Sequence, residues 1–369
     1  METHAHLTPL DRLFLERAVE LAARGIGNTS PNPPVGAVVV RDGRILGEGY
    51  HHRAGDAHAE ANALRDVNDA SGTTVYVSLE PCNHVGRTPA CSHTLADAGV
   101  SRVVVGALDP NPKTNGAGIS FLRERGVRVD VTDDQRARAM IEPFGESVCS
   151  DRPYVALKIA MSLDGFITSE PNVQERITSE EERLYVRDLR IAHDAGMVGA
   201  RTVRVDDPLL TVRPPHDRLR EYVRVVACSS GSVNPASRIF EPVPGYAKTV
   251  VLAPAGARER FADLAGVADV LFAGNDDATE LDLHAALSAL RRERGVQSVL
   301  CEGGPMLAGK LISSELCDRL IWAIAPLLLR GDLAVPALAG NGISGKRLRF
   351  DRVESVGPDV VISGVFERV

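Results

Sequence analysis

The sequence predicts two successive α/β domains, and three observations carry that reading. Its 369 residues suit two cores at roughly 100 to 200 residues per domain. Short β-branched runs alternate with segments of helical period from Val35 onward, and the alternation resumes at Tyr154. Between the two series, Gly145 to Pro153 (GESVCSDRP) has turn residues and no clear period, which sets expected domains of 1–147 and 153–369.

The first series opens with a helix over Pro9 to Gly25, where Leu10, Leu13, Phe14, Ala18 and Leu21 share a face and Thr8 stands as N-cap. The punctuation TSPNPP precedes a strand Val35 to Val40, the turn Arg41-Asp42-Gly43-Arg44 and a strand Ile45 to Tyr50, a β-hairpin. A helix from about Ala57 to Val67, a strand Thr74 to Leu79, a helix Cys91 to Ala98, a strand Arg102 to Ala107 and a helix near Ile119 to Glu124 complete it. Such alternation predicts three layers, with parallel pairing after the hairpin. The second series begins with a strand Tyr154 to Met161 and a helix opening at Thr178-Ser179, where Glu181 or Glu182 would complete a capping box. Further strands are expected at Val223 to Ala227, Thr249 to Leu252, Val270 to Phe272, Ser298 to Cys301, Leu320 to Ile324 and Val360 to Phe366, with a turn at Gly357-Pro358.

Composition excludes several classes of function. With 44% hydrophobic and 25% charged residues the chain reads as globular. The longest apolar run, Leu320 to Leu329, falls far short of the ~18 residues that span a bilayer, so no membrane role is expected. The opening METHAHLTPLDR lacks the basic start and apolar stretch of a secretory signal, which makes the cytoplasm the expected compartment. Six cysteines in a reducing compartment are then better read as metal-binding or catalytic than as a disulfide framework. A net charge of -7, 4% aromatic residues and a single Trp argue against a nucleic-acid partner.

Ala57-His58-Ala59-Glu60 stands at a helix start, Pro81-Cys82 just after a strand, and Cys91 at the opening of the next helix. One His and two Cys are three zinc ligands, which leaves a fourth position for water and lowers that water's pKa towards ~7. Glu60, two residues past His58, is close enough to carry a proton from that water to a ring nitrogen and on to a leaving amine. H-x-E with P-C is the arrangement of zinc deaminases acting on amino-bearing pyrimidine or purine carbons. The competing reading is a structural zinc closed by His84 or His93, in which His-Ala-Glu has no role.

Eight residues separate Cys82 from Cys91, where two are usual in zinc deaminases. With that spacing EPCNHVGRTPAC, flanked by TSPNPPVGAVVV, HAE and DPNPKTNGAG, resembles the deaminase half of the bifunctional riboflavin-biosynthesis deaminase/reductases. KIAMSLDGFIT, VGARTVRVDDPLLTVR, CEGGPMLAG and VGPDVVISG resemble the reductase half, in the expected order. The resemblance spans nearly the whole chain. It implies a cytidine-deaminase-like three-layer domain followed by a dihydrofolate-reductase-like domain. The first would deaminate 2,5-diamino-6-(5-phosphoribosylamino)pyrimidin-4-one, with Zn2+ on His58, Cys82 and Cys91, Glu60 as proton carrier, and Asn32, His51, Arg87, Asp109 and Asn111 lining the substrate pocket, Arg87 against the phosphate. The second would reduce the ribosyl group to ribityl with NADPH. There Lys158, Asp206 and Glu302 would surround the reacting carbon. Gln174, Arg190, Leu210, Arg213 and Glu302 would contact substrate, and Ala160, Arg176, Thr202, Asp206, Ser229, Gly304, Pro305, Met306 and Leu307 the cofactor. The resemblance also implies a homo-oligomer, a dimer through the reductase domain.

Glu302-Gly303-Gly304-Pro305 ends a strand and opens a helix, so bare amides and the helix dipole can face a cofactor phosphate. The chain departs from the family at Gln174 and Arg176, where the family usually carries serine and tryptophan, and at Cys228, where Asp commonly precedes Ser229. That motivates a second reading, an active deaminase with a degenerate or retuned reductase, which NADPH consumption distinguishes.

Overall fold

The computed structural model describes residues 7–84, 89–112, 114–213 and 218–367, and divides into two compact units, Met1–Ser150 and Asp151–Val369. In the first, α1 (Pro9–Ala23) starts as expected: Thr8 Oγ1 accepts the Asp11 N–H at 3.1 Å, and the Asp11 carboxylate accepts the Thr8 N–H at 2.9 Å. The hairpin of β1 (Gly36–Arg41) and β2 (Arg44–Tyr50) is followed by α2 (Ala59–Leu64), β3 (Thr74–Leu79), α3 (Cys91–Asp97), β4 (Arg102–Ala107), α4 (Ala117–Glu124), β5 (Arg128–Val131) and α5 (Gln135–Val148). The sheet order is β2-β1-β3-β4-β5; β1 is antiparallel to both neighbours, and β3, β4 and β5 are parallel.

Strand alternation builds the three layers. Val39, Val75, Val77, Val103 and Val105 pack under Ala63 of α2, Leu95 of α3 and Leu122 of α4. Their neighbours Val38, Val40, Tyr76 and Val104 face Phe14, Leu15 and Ala18 of α1. Two glycines permit the approaches that set the site. A β-carbon at Gly49 would fall 2.4 Å from the Ala63 nitrogen, so α2 lies directly on β2; one at Gly118 would fall 1.9 Å from the Pro81 oxygen, so α4 lies against the turn that carries Cys82.

Two expectations need correction. The second helix is one and a half turns, Ala59–Leu64, rather than Ala57 to Val67, because His58 is extended as its N-cap. Gly145 to Val148 is not a linker but the last turn of α5, which continues past Pro143 while burying Ala137 and Ile141 against Leu79 and Ala107.

Asp11 shows how tightly this unit is tied. Its carboxylate also accepts from Tyr76 Oη at 2.7 Å and Arg102 Nη1 at 2.6 Å. Burial pushes its pKa up, but the bonds from Arg102, Tyr76 and Thr8 outweigh burial and hold it well below the usual carboxylate range. A depressed carboxylate stabilises the fold fully above its unfolded value, and the contribution is lost as pH falls below that value. Asp11→Asn is therefore expected to cost about 2 kcal/mol at neutral pH, by losing the charge-assisted bonds from Arg102 and Tyr76 while Arg102 keeps Asp130 at 2.7 Å, and to flatten acid destabilisation below about pH 4. Thermal melts of variant and parent at the two pH values check both.

The second unit comprises β6 (Tyr154–Ser162), β7 (Phe166–Thr168), α6 (Glu180–Ala192), β8 (Ala195–Gly199), α7 (Ala200–Asp206), β9 (Val223–Ala227), β10 (Val250–Pro254), β11 (Asp269–Ala273), α8 (Leu283–Arg294), β12 (Ser298–Cys301), α9 (Pro305–Ser313), β13 (Arg319–Ala325), β14 (Val335–Pro336), β15 (Leu348–Val356) and β16 (Asp359–Phe366). Its nine-stranded sheet runs β11-β10-β9-β8-β12-β6-β13-β16-β15, parallel from β11 to β13 and antiparallel thereafter. The chain runs outward from β8 to β11 and returns through β12, between β8 and β6. The strand order switches there, which is where open α/β sheets form ligand crevices at the carboxyl ends. Leu287 and Leu290 of α8 and Leu311 of α9 cover Val155, Leu157, Ile159 and Val299 on one face, while Tyr185 and Leu189 of α6 cover Tyr154, Ala156 and Ile321 on the other.

Ser179 caps α6 by accepting the Glu182 N–H at 3.2 Å, but the capping box does not close. The Ser179 N–H goes to Asp359 at 2.8 Å, and the Glu182 side chain turns to Thr178 and Lys158.

Candidate active sites

Three elements deliver the sulfur and nitrogen donors of the first unit. His58 is the N-cap of α2, Cys82 follows β3 by three residues, and Cys91 is the first residue of α3. His58 Nδ1 lies 3.5 Å from Cys82 Sγ and 3.3 Å from Cys91 Sγ, with the Cys91 N–H directed at Cys82 Sγ, 3.4 Å away. One ligand atom from each lies within 4.8 Å of the others, a spacing one ion can bridge. The shared bond with Cys91 draws the Cys82 pKa down to about 4, helped by His58 against burial; Cys91, as donor in that bond and buried, is pushed up. The bond with Cys82 raises His58. Two thiols and an imidazole suit a borderline-soft cation such as zinc.

Glu60, the second residue of α2, is buried, and burial followed by the nearby Cys82 sulfur raises its pKa to about 7. A carboxyl poised there exchanges protons at neutral pH. It opens, with His58 and Cys82, into a cavity of about 480 Å3 that Asn32, His51, Asp109 and Asn111 also line. His51 Nδ1 meets the Ala57 carbonyl at 3.1 Å, so the ring N–H sits there and Nε2 accepts the Asn32 amide at 3.1 Å. Burial lowers the His51 pKa, which favours this neutral form. Arg87 lies outside the described residues. His93 stacks on Phe121 at 3.9 Å, and His84 lines the cavity without joining the donor cluster, so among the described residues no fourth ligand closes the site.

Glu80 escaped sequence reasoning. Its buried carboxylate accepts the N–H groups of Asp109, Gly116, Gly118 and Ile119 at 3.0 to 3.4 Å, pinning the loop that carries Asp109 and Asn111 to the end of β3. A second carboxylate orders the loop further: Asp109 accepts the Asn111 N–H at 2.9 Å and the Thr114 hydroxyl at 2.6 Å.

The second unit gathers its charged candidates at the β6, β8 and β12 strands. Arg190 of α6 holds Glu302 through two bonds of 2.7 and 2.8 Å and donates to the Thr211 carbonyl at 2.8 Å. Burial alone would raise the Glu302 pKa, but Arg190, and behind it Lys158, bring it below its ordinary value. Lys158, in central β6, is buried and ion-paired with Glu182 at 2.5 Å. Arg190 also braces a strained segment, since Asp207 and Leu210 both adopt left-handed backbone (φ 41 and 49). Asp206 is half-buried, and burial raises its pKa.

Gly304 caps α9 with no side-chain bond, leaving its first amides bare. A β-carbon at Gly304 would lie 3.4 Å from Thr202 Oγ1, and one at Gly303 would lie 2.6 Å from the Leu307 side chain, so Thr202, the two glycines and Leu307 come together at the start of α9. That suits a cofactor phosphate. Ser229 instead accepts the Leu281 N–H at 3.2 Å; Ala160 is half-buried on β6, Pro305 is half-buried, and Met306, Arg213, Gln174 and Arg176 are exposed.

These two sites define an enzyme with a zinc-binding deaminase domain and an NADPH-dependent reductase domain. Residues 9–107 match the cytidine and deoxycytidylate deaminase zinc-binding region, and residues 153–362 the RibD C-terminal domain. The chain is 35% identical over 363 residues to riboflavin biosynthesis protein RibD of Bacillus amyloliquefaciens, covering 96% of each, and 37% identical over 374 residues to that of Escherichia coli (strain K12), covering 95% of this chain and 98% of the other. Among solved structures, Acinetobacter baumannii RibD matches with a TM-score of 0.84 at 32% identity over 97% and 99% of the two chains. The Thermotoga maritima diaminohydroxyphosphoribosylaminopyrimidine deaminase/5-amino-6-(5-phosphoribosylamino)uracil reductase matches at 0.83 and 30%, with the same coverage. The chain belongs to the RibD family, the bifunctional deaminase/reductases of riboflavin biosynthesis. No described helix is long and apolar enough to cross a membrane.

Proposed function

We propose that residues 1–147 deaminate 2,5-diamino-6-(5-phosphoribosylamino)pyrimidin-4-one and that residues 153–369 then reduce the ribosyl group to ribityl with NADPH. The observation that carries this reading is the cavity in which His58, Cys82 and Glu60 share walls with Asn32, His51, Asp109 and Asn111. His58, Cys82 and Cys91 would hold zinc, which would supply Lewis-acid activation of water at neutral pH. Glu60 takes one proton from the attacking water and passes it to the ring nitrogen; it then takes the remaining hydroxyl proton and gives it to the departing amine, as the C–N bond breaks and the ring carbonyl forms. His51 orients the Asn32 amide toward the ring, Asp109 and Asn111 complete the pocket, and Arg87 takes the phosphate through its fork.

In the second domain NADPH supplies the hydride. Glu302, held ionised by Arg190, serves as a charge partner rather than an acid, which leaves the Lys158 ammonium as proton donor to the reduced sugar oxygen. Asp206 lies beside both ligands, with Gln174, Arg190, Leu210 and Arg213 toward the substrate. Ala160, Arg176, Thr202, Ser229, Gly304, Pro305, Met306 and Leu307 contact the cofactor. The protein works in the cytoplasm as a homo-oligomer paired through this domain, a reading supported by exposed Phe350 and Val353 on the edge strand β15.

Mass analysis of products from the zinc-loaded protein and the diaminopyrimidine substrate, with and without NADPH, tests both halves. Deamination alone without NADPH, and a further gain of two hydrogens with it, is the expected result. Deamination in both tubes with no reduction would instead favour a retuned second domain, for which exposed Gln174 and Arg176 are the first residues to revert.

A further inference from the structure

A buried lysine needs a reason. Strand alternation puts Lys158 on the face of β6 shared by Tyr154, Ala156 and Ala160, which α6 covers with Tyr185 and Leu189. An ammonium there is held in a desolvated place and requires a paired anion. Glu182, in the first turn of α6 and only 2% exposed, provides it, with Oε1 2.5 Å from Lys158 Nζ but off the hydrogen-bonding axis and with no hydrogen bond of its own among the described residues. Its other oxygen is fixed by the Thr178 hydroxyl at 2.9 Å. Two turns along α6, Arg190 binds Glu302. One helix therefore supplies both partners of a four-charge cluster, Glu182–Lys158 beside Arg190–Glu302, in which each cation faces a carboxylate.

We propose that Glu182 is a positioning residue of the reductase site: anchored by Thr178, it aims Lys158 Nζ for proton donation, and it acts on reduction through Lys158 alone. This rests on the reading of Lys158 as the proton donor. Had the pair served only to dock α6, the Arg190–Glu302 contact would already do so, and a buried ion pair would be replaceable by apolar residues without loss of turnover.

The test uses the full-length, zinc-loaded protein, with deamination as the internal control. Glu182→Gln is expected to lower kcat for reduction about 10-fold or more, within the range of a mispositioned general acid, while KM for NADPH and for the deaminated pyrimidine stays within about twofold and deamination is unchanged. Glu182→Asp should recover part of the loss. Combined with Lys158→Gln, Glu182→Gln should add nothing further, since two residues acting through one step are not additive. If Glu182→Gln does not yield folded protein, Thr178→Val releases the same carboxylate without unbalancing charge and should lower kcat in the same direction. An unchanged kcat, a parallel loss of KM and kcat, or an additive double variant would overturn the inference. Should Lys158→Gln itself leave reduction intact, the reading of Lys158 falls instead, a result separable from failure of Glu182 alone.

Discussion

Glu60→Gln is expected to reduce deamination by about 10²- to 10⁴-fold while zinc content and NADPH-dependent reduction of pre-deaminated substrate remain at parental levels. The amide keeps the shape of the buried side chain but cannot take up or release the proton. Burial raises the Glu60 pKa to about 7, so neutralising the side chain removes a charge that burial disfavours. The variant should therefore fold at least as well as its parent, so a loss of turnover would mark lost proton transfer. Metal analysis and the two activities measured on one preparation check it; retained deamination would remove Glu60 from the proton path.

Cys91→Ser removes one of the three donors with almost no change in packing. Deamination is expected to fall about 10³-fold or more, equivalent to about 4 kcal/mol of lost Lewis-acid stabilisation, with zinc content falling in parallel. Chelation of the parent should reproduce the loss, and added zinc should restore the parent but not the variant. Reduction should persist in both, since the second unit has its own core. A variant that kept stoichiometric zinc would mean that Cys91 is not a ligand.

The parts of the fold that could be read from sequence are those in which local pattern and tertiary burial agree. Thr74–Leu79, Arg102–Ala107, Val223–Ala227 and Ser298–Cys301 are β-branched runs bounded by turn residues, and all are central strands. β15 could not be read this way, because it is an edge strand whose Phe350 and Val353 face outward among charged residues. β8 is obscured by two glycines, one of which, Gly196, makes room for the Tyr222 hydroxyl. α5 is hidden by Pro143 and Gly145. The zinc donors stand out because their residue types and motif are themselves the signal. Glu80 and Glu182 do not, since each acts on groups far along the chain: Glu80 on backbone N–H groups 29 to 39 residues away, and Glu182 on a lysine in another element while its position invites the reading of a helix cap.

The Glu80 carboxylate has a consequence for selectivity. By accepting the amides of Asp109, Gly116 and Gly118 it ties the wall residues Asp109, Asn111 and Thr114 to the end of β3, so the entropy of ordering them is not incurred again at each encounter with a ligand. A ring of the wrong outline then meets Asp109 and Asn111 already tied in place, and little binding energy is consumed in ordering them.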